Sequence, residues 1–284
     1  MAEHAGRLWP FRYADLPLHG ALLRLGPEWA SLCAERAYDP LAAQLLGSSL
    51  CTVALLAGSA KNPPKLTMQL SGVEGLDLLV AQSLRPGALR GMVKPSSLER
   101  SPLGGQGRLV MTLETGGQAA PMQSIVPLEA PSLAQAMGDY FRQSEQLPAR
   151  FYLHADTQQA FGLFVQGVAG DATPVEEALQ VIDQWALQEL PADDPQLFLG
   201  ALLEADIQLL QPQQDWVVRC HCDHASVSRM ILGLGAEESR NLAAERGHIH
   251  IECGYCGQDY VFEAMEVDAL FHAQEADPEP PLTH

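Results

Sequence analysis

Stretches of alternating and of helical hydrophobic spacing follow one another in the first part of the chain and predict a mixed fold. Alternation predicts strands at residues 18–25, 65–70, 108–113, 151–154 and 161–168. Helical spacing predicts helices at residues 38–56, which are rich in Ala and Leu, and at 132–145. Gly and Pro predict turns at 86–91 and 104–107. We therefore expect an α+β domain over residues 1–172.

Two amphipathic helices are predicted next, at residues 174–190 and 195–210. Thr173 precedes Pro174, and Glu176 follows at capping-box spacing, while Asp194 is placed to cap the second helix. The predicted apolar positions are Val175, Leu179, Ile182, Trp185 and Ala186 in the first helix, and Leu197, Phe198, Ala201, Leu202, Ala205 and Leu209 in the second. We expect residues 173–212 to form a helical linker.

The charge of this linker region is one-sided. Residues 151–218 contain eleven carboxylates and no Lys or Arg, so neither helix has an internal i,i+4 ion pair. Short helices of this kind depend on docking against a neighbour. The segment is therefore either an ordinary acidic solvent face or a region of low local stability that comes loose when its docking partner fails.

The composition excludes several classes of protein. The 284 residues are 47% hydrophobic and carry a formal charge of −18, which permits a sizeable core and disfavours binding to nucleic acid or an anionic membrane. The first 20 residues lack the apolar core of a signal peptide, and we find no membrane-spanning run. We expect a soluble protein that is not exported by a standard signal. Residues 272–284, which are acidic and rich in Pro, are expected to form a disordered tail.

Four of the six cysteines form a metal-binding pattern at residues 213–271. Cys220 and Cys222 are separated by one residue, thirty residues follow, and Cys253 and Cys256 are separated by two. Two close pairs joined by a short helical stretch are typical of a four-thiolate site. Such a site suits zinc or an iron–sulfur cluster, and this spacing favours one Zn²⁺. So small a domain is expected to need such a staple.

The flanking residues predict how the two pairs are presented. Residues 248–252 and 258–262 alternate and predict a hairpin with Cys253 and Cys256 at its tip. Helices are predicted at 225–232 and 236–246, with Gly247 as the C-cap of the second. The remaining cysteines, Cys33 and Cys51, lie in Ala- and Leu-rich helical surroundings and are expected to be buried apolar residues.

The metal site has two interpretations. It can be an inert staple that folds a small domain. Alternatively, each close pair can form a local disulfide when an oxidant attacks one thiolate, and two such events would eject the metal. The closed donor set argues against hydrolysis, and the abutting His250, Glu252 and Cys253 do not match the separated zinc-deaminase signature. The neighbouring histidines are expected to surround the site rather than to be ligands: His221, His224, His248 and His250.

With these cysteine pairs at its C-terminal end, the sequence resembles the heat shock protein 33 family over residues 7–271. The supporting stretches are residues 18–25, 65–70, 89–91, 125–128, 132–134, 140–141 and 144–148. Asp223 stands where the family usually has Ser, and all four cysteines are in place.

The resemblance implies an ATP-independent, redox-regulated holdase of the cytoplasmic stress response, and not an enzyme. It implies that the reduced, zinc-bound form is inactive. Oxidants then form the disulfides Cys220–Cys222 and Cys253–Cys256, zinc leaves, the linker unfolds, and oxidised homodimers hold unfolding client proteins. From the residues themselves we expect the linker to lean on the N-terminal domain and on the zinc module. The alternative is a zinc-ribbon interaction module whose metal is purely structural.

Overall fold

The structure is a computed structural model in which the chain forms two compact units. The residues it describes are 6–59, 65–85, 87–98, 103, 105, 107–114, 120–168, 173–184, 194–210 and 214–276. Contacts divide the chain into Met1–Arg219 and Cys220–His284.

The first unit contains a large sheet and five helices among its described residues. Its strands are β1 (Gly6–Tyr13), β2 (Leu18–Arg24), β3 (Lys65–Ser71), β4 (Leu76–Arg85), β5 (Ala88–Pro95), β6 (Arg108–Glu114), β7 (Met122–Pro127), β8 (Ala149–Ala155), β9 (Ala160–Gly167), β10 (Ile207–Leu209) and β11 (Gln214–Val218). Its helices are α1 (Glu28–Glu35), α2 (Pro40–Ser59), α3 (Leu133–Tyr140), α4 (Thr173–Asp183) and α5 (Pro195–Leu203), and a π-helical turn, Phe141–Glu145, extends α3.

The strands form one sheet in the order β7-β6-β3-β4-β5-β11-β1-β2-β9-β8, with β10 paired to β1. β11 joins the two halves, because it runs parallel to β5 and antiparallel to β1. Its Trp216 is fully buried in the main core beside Leu8. The first residues of the predicted zinc module therefore contribute a strand to the middle of the N-terminal sheet.

Helix α2 is the centre of the main core. Asp39 caps it by accepting hydrogen bonds from the backbone N–H groups of Leu41 and Ala42, both at 2.9 Å. The helix is long and apolar enough to cross a membrane, but 78% of its most apolar window is buried within the fold. It contacts strands of both halves of the sheet, which accounts for its uniformly apolar sequence.

The opposite face of the sheet is covered by α4 and α5 over one half. A second core there contains Phe11 and Tyr13 of β1 and further apolar residues of β2 and β9. The linker helices contribute Val175, Ala178, Leu179, Ile182, Phe198, Leu199 and Leu202 to it. The expectation that the linker leans on the N-terminal domain is met in the described residues, whereas its expected contact with the zinc module stays a prediction.

The prediction of one helix over 195–210 is wrong after Leu203. Glu204 adopts a left-handed backbone conformation, φ 48°, which ends α5. Residues 207–209 are extended instead, and Ile207 lies opposite Tyr13 of β1. Apolar residues at helical spacing can equally well lie in an edge strand, so periodicity alone did not separate the two. The N-cap predicted at Asp194 is confirmed, since its side chain accepts from Leu197 N–H at 2.9 Å.

Other predicted boundaries also shift. The turn predicted at 86–91 is shorter, because β5 begins at Ala88 after Gly87 at φ 83°. Of the predicted helix at 174–190, the part at 185–190, which includes Trp185, lies outside the described residues, as do residues 104 and 106 of the predicted turn at 104–107. The zinc module was expected to begin at 213, but β11 pairs within the N-terminal sheet, so contacts divide the chain after Arg219.

The second unit is a small helical and hairpin structure. Its elements are α6 (His224–Leu234), α7 (Ala236–Arg246), β12 (His248–Glu252), β13 (Asp259–Glu263) and α8 (Ala264–Ala276). The predicted hairpin, both helices and the left-handed Gly247 at φ 80° are confirmed. The disordered tail expected from residue 272 is wrong up to Ala276, because α8 packs Val267 and Phe271 into the core and continues as a helix; residues 277–284 lie outside the described part.

Candidate metal centre

The second cysteine pair lies in the turn between β12 and β13. Cys253 N–H donates to the Gln258 carbonyl at 2.9 Å, and Gly257 N–H donates to the Cys253 carbonyl at 2.8 Å. Gly257 has φ 78°, a left-handed conformation that glycine adopts without strain. This tight turn directs the side chains of Cys253 and Cys256 toward the same side.

The first pair lies immediately before α6. Asp223 caps this helix by accepting from Ser226 N–H at 2.6 Å, while its own N–H donates to Ser226 Oγ at 3.0 Å. This capping box fixes the chain at the residue after Cys222. The Asp at this position, a departure from the resembled family's usual Ser, therefore keeps a capping function.

The four sulfur atoms converge. Sγ of Cys220 lies 3.6 Å from Sγ of Cys253, and Sγ of Cys222 lies 3.3 Å from Sγ of Cys256. All four Sγ atoms lie within 4.8 Å of one another. Tetrahedral zinc with Zn–S bonds of about 2.3 Å places its sulfurs about 3.8 Å apart, so the donor set fits such an ion.

The surroundings of these sulfurs favour a thiolate at one position. Burial disfavours ionisation of Cys253, but backbone N–H groups of Cys256 and Tyr255 and the neighbouring thiols outweigh burial and lower its pKa to about 7. Burial raises the pKa of Cys256 to about 11, and burial also raises the pKa of Cys220. A bound cation would favour the ionised form of every thiol in this cluster.

Two of the neighbouring histidines have contacts of their own. The ring of His224 packs on Phe262 with 4.4 Å between ring centroids. His250 Nε2 lies 2.7 Å from Asp259 Oδ1 across the hairpin. Within the described part of the chain, the only group of ligand atoms close enough together to hold an ion consists of the four cysteines.

The unit around the site has a small core, which consists of Val227, Ile231, Ala243, Ile249, Phe262, Val267 and Phe271. Burial on this scale is marginal for an independent fold. Four thiolates leave no open coordination position, so the site can staple the unit and react with oxidants, whereas metal-assisted hydrolysis is disfavoured.

Cys33 and Cys51 are both buried in the main core, as predicted. Burial and the charge of Asp156 raise the pKa of Cys33 to about 11, and burial raises the pKa of Cys51. Both thiols are therefore poorly reactive.

Sequence reasoning missed the residues that hold the linker helices in place. Arg150 of β8 donates from Nη2 to Glu176 Oε1 at 2.6 Å and from Nε to Asp183 Oδ2 at 3.3 Å. Tyr152 OH donates to Asp183 Oδ1 at 2.7 Å. Burial and the Asp183 carboxylate raise the pKa of Tyr152. The available signal was Arg150 itself, the last cation before 68 residues without one.

A buried hydroxyl holds the second linker helix. Tyr13 OH of β1 donates to the Leu199 carbonyl of α5 at 2.8 Å. Burial raises the pKa of Tyr13, so the hydroxyl stays protonated and remains a donor.

Comparisons with known proteins agree over nearly the full length. A family model described as "Hsp33 protein" matches residues 6–263. The chain is 31% identical over 274 residues to the 33 kDa chaperonin of Nitrosococcus oceani, covering 93% of each. It is 32% identical over 274 residues to that of Neisseria gonorrhoeae, covering 92% of this chain and 90% of the relative. The crystal structure of the 33 kDa chaperonin of Thermotoga maritima, at 21% identity, superposes with a TM-score of 0.78 and covers 96% of this chain and 100% of that one.

Proposed function

Because the chain belongs to the Hsp33 family and is therefore a redox-regulated holdase chaperone, not an enzyme, we propose a specific switch for it. In the reduced, inactive protein, one Zn²⁺ is held by Cys220, Cys222, Cys253 and Cys256. The observation that carries this proposal is the convergence of the four Sγ atoms within 4.8 Å. When bound, the ion would keep the sulfurs as thiolates and cross-link the turn before α6 to the turn between β12 and β13.

We assign three functional parts to the chain. Residues 1–172 form the N-terminal domain, residues 173–212 the redox-sensitive linker, and residues 213–271 the zinc-binding switch, with β11 as the strand that anchors the switch to the N-terminal sheet. The acid-rich composition of the linker and the separate core of the second unit support this division.

Oxidation would form two local disulfides, Cys220–Cys222 and Cys253–Cys256. In each, one peroxide molecule takes two electrons from two thiolates; an S–S bond forms, the O–O bond breaks, and two protons are taken up to give two waters. Sulfur contacts of 3.6 and 3.3 Å run between the pairs, so peptide mapping of the disulfides is needed to distinguish this pairing from Cys220–Cys253 and Cys222–Cys256. The short loops within each pair favour local bridges, and the two-residue spacing makes Cys253–Cys256 the less strained of the two.

Loss of the four thiolates would unfold the switch. A structural zinc site contributes on the order of 10 kcal/mol, which a core of this size does not replace. The linker then follows, because its helices have no internal ion pairs and depend on docking. Their release would expose both sides of the second core. On the sheet these are Phe11, Tyr13 and the apolar residues of β2 and β9, and on the linker they are the apolar residues of α4 and α5. Exposed apolar surface of this kind binds partly unfolded chains.

Client proteins bind to the oxidised form, and we propose that this form is a homodimer in the cytoplasm. The formal charge of −18 makes nucleic acid and anionic membranes poor partners.

Zinc content, free thiols and holding activity together test the switch. We expect one bound zinc and four protected thiols per chain in the reduced form. After peroxide, we expect both the bound zinc and these four thiols to be lost. We expect suppression of aggregation of a thermally unfolding client only after oxidation. A purely structural zinc ribbon would show no gain of holding activity. Metal-free purified protein with four reactive thiols would contradict the proposed site.

A further inference from the structure

One end of the large sheet is formed by β7, which pairs on one side only among the described residues. Its partner is β6, with Ile125 opposite Val110 and Gln123 opposite Thr112. The other end is β8. An edge strand presents a row of backbone N–H and C=O groups that can pair with a further strand.

The register identifies which backbone groups of β7 face outward. Leu128 N–H donates to the Gly107 carbonyl at 3.2 Å, and the same register continues into the β6–β7 ladder. Pairs alternate between hydrogen-bonded and non-hydrogen-bonded in an antiparallel ladder. Val126 and Ser124 therefore use their backbone groups toward β6, whereas Ile125 and Gln123 direct theirs to the free edge. Pro127, which has no N–H, occupies a position where no ladder donor is needed.

The side chains of β7 protect this edge only at its end, where Pro127 removes one outward N–H. The strand, MQSIVP, contains no charged residue, and Met122 and Ile125 are 59% and 64% exposed. Natural sheets commonly block such edges with charges. At the opposite end, β8 carries Arg150, and its carboxylate partners lie on α4.

The outer face beside this edge carries a row of largely apolar side chains across five strands. The row consists of Ile125, Val110, Gln69, Val80 and Met92, which are successive cross-strand partners. Alternate side chains of an added strand would extend this row, while its backbone would bond to β7.

We infer that the free edge of β7 binds an extended segment of an unfolding client by strand addition, through the outward backbone groups of Gln123 and Ile125. This inference rests on the proposed function and names a contact site for its client. Backbone pairing suits a holdase, because every unfolded chain offers the same donors and acceptors whatever its sequence.

The charge of the chain favours a client over a second copy at this edge. A second copy brings a further charge of −18, so pairing β7 with another β7 starts against repulsion, which the oxidised homodimer proposed above would offset through the larger apolar surface that the linker uncovers. A client segment without strong negative charge meets no such barrier at an uncharged edge.

The edge alone is expected to bind weakly. A single added strand gives only a few hydrogen bonds, and isolated strand pairs are marginal in water. Strong holding therefore requires the apolar surface that the linker covers. The reduced protein should bind clients feebly through β7, and oxidation should add the larger surface.

The test replaces Ile125 by Pro, which removes the outward N–H but none of the bonds to β6, and uses Ile125→Val as the matched control. The probe is fluorescently labelled α-lactalbumin, reduced and carbamidomethylated so that it stays unfolded, and anisotropy measures its affinity for the oxidised full-length protein. We expect Ile125→Pro to bind about fivefold more weakly than the wild type, the effect of losing one net hydrogen bond. Ile125→Val should bind like the wild type, and both variants should release zinc normally.

The outcomes separate the inference from the function on which it rests. Equal affinity of Ile125→Pro and wild type overturns the inference, and so does a variant that weakens only self-association measured by sedimentation, which would assign the edge to a second copy. An oxidised wild type that binds no probe refutes the function itself. If Ile125→Pro fails to fold, Ile125→Lys places a protecting charge on the edge; weaker binding supports the inference and unchanged binding overturns it.

Discussion

Replacing Arg150 by Met should loosen the linker without touching a cysteine. Arg150 is the one residue of β8 that holds two carboxylates of α4, Glu176 and Asp183. Methionine keeps the apolar stem and removes the charge. The variant therefore isolates the polar contribution to docking from the packing of Val175 and Leu179.

The size of the effect follows from the exposure of the partners. The Arg150 side chain is 23% exposed, while Glu176 and Asp183 are 43% and 40% exposed. A buried charge-assisted hydrogen bond contributes about 1.5–3 kcal/mol, but exposed pairs contribute about 0.2–1 kcal/mol because water solvates the separated charges. For the two pairs together we expect about 1–2 kcal/mol, which raises the population of undocked α4 roughly 5- to 30-fold.

Hydrogen exchange of the α4 amides in reductant measures this population directly. Exchange should accelerate by the same factor at residues 173–183, and the reduced variant should suppress client aggregation measurably where the wild type does not. The matched control is Arg142→Met, because Arg142, in the π-helical turn after α3, pairs with Asp139 of α3 and its side chain is 61% exposed.

The reasoning is refuted if Arg150→Met and Arg142→Met give the same exchange rates in α4. Faster exchange of α4 in Arg150→Met without any holding activity in reductant would support the role of Arg150 in docking. It would contradict the link between linker release and client binding.

Three further predictions concern the switch and its docking. Replacing Cys253 and Cys256 by Ser should abolish zinc binding and leave the linker open to proteases even in reductant; a resistant linker would contradict the coupling. Tyr13→Phe removes the hydroxyl that bonds the Leu199 carbonyl, which keeps its helical bond within α5, so α5 should lose about 0.5–1.5 kcal/mol of docking, seen as faster exchange in α5. A strong chelator should reduce the helical circular dichroism of α6 to α8 and also shift tryptophan fluorescence, because release of the linker would expose Trp9, which packs against the second core; unchanged fluorescence would contradict the coupling of zinc loss to linker release.

Local features of the chain were largely predictable. The spacing of Cys220, Cys222, Cys253 and Cys256 indicated the metal centre, because ligands on tight turns come in close pairs. The caps at Asp194 and Gly247 were also predictable, since capping depends on two or three neighbouring residues.

The end of α5 and the boundary between the units were not predictable in this way. The pattern at residues 207–209 suits a helix as well as a strand, and pairing with β1, almost 200 positions earlier, selects the strand. The same holds for β11, which completes the sheet between β5 and β1.

By itself the sequence indicated the four-cysteine cluster and the absence of internal i,i+4 ion pairs from the linker helices, because both arise from residue types and spacings within a few turns of chain. Only the tertiary structure decided what the linker docks on, that Arg150 and Tyr13 hold it, and that β7 pairs on one side only within the described part of the chain. These features depend on contacts between segments that are distant in sequence. Packing of the whole sheet fixes the register of these segments and the face on which each side chain lies, and no local pattern determines either.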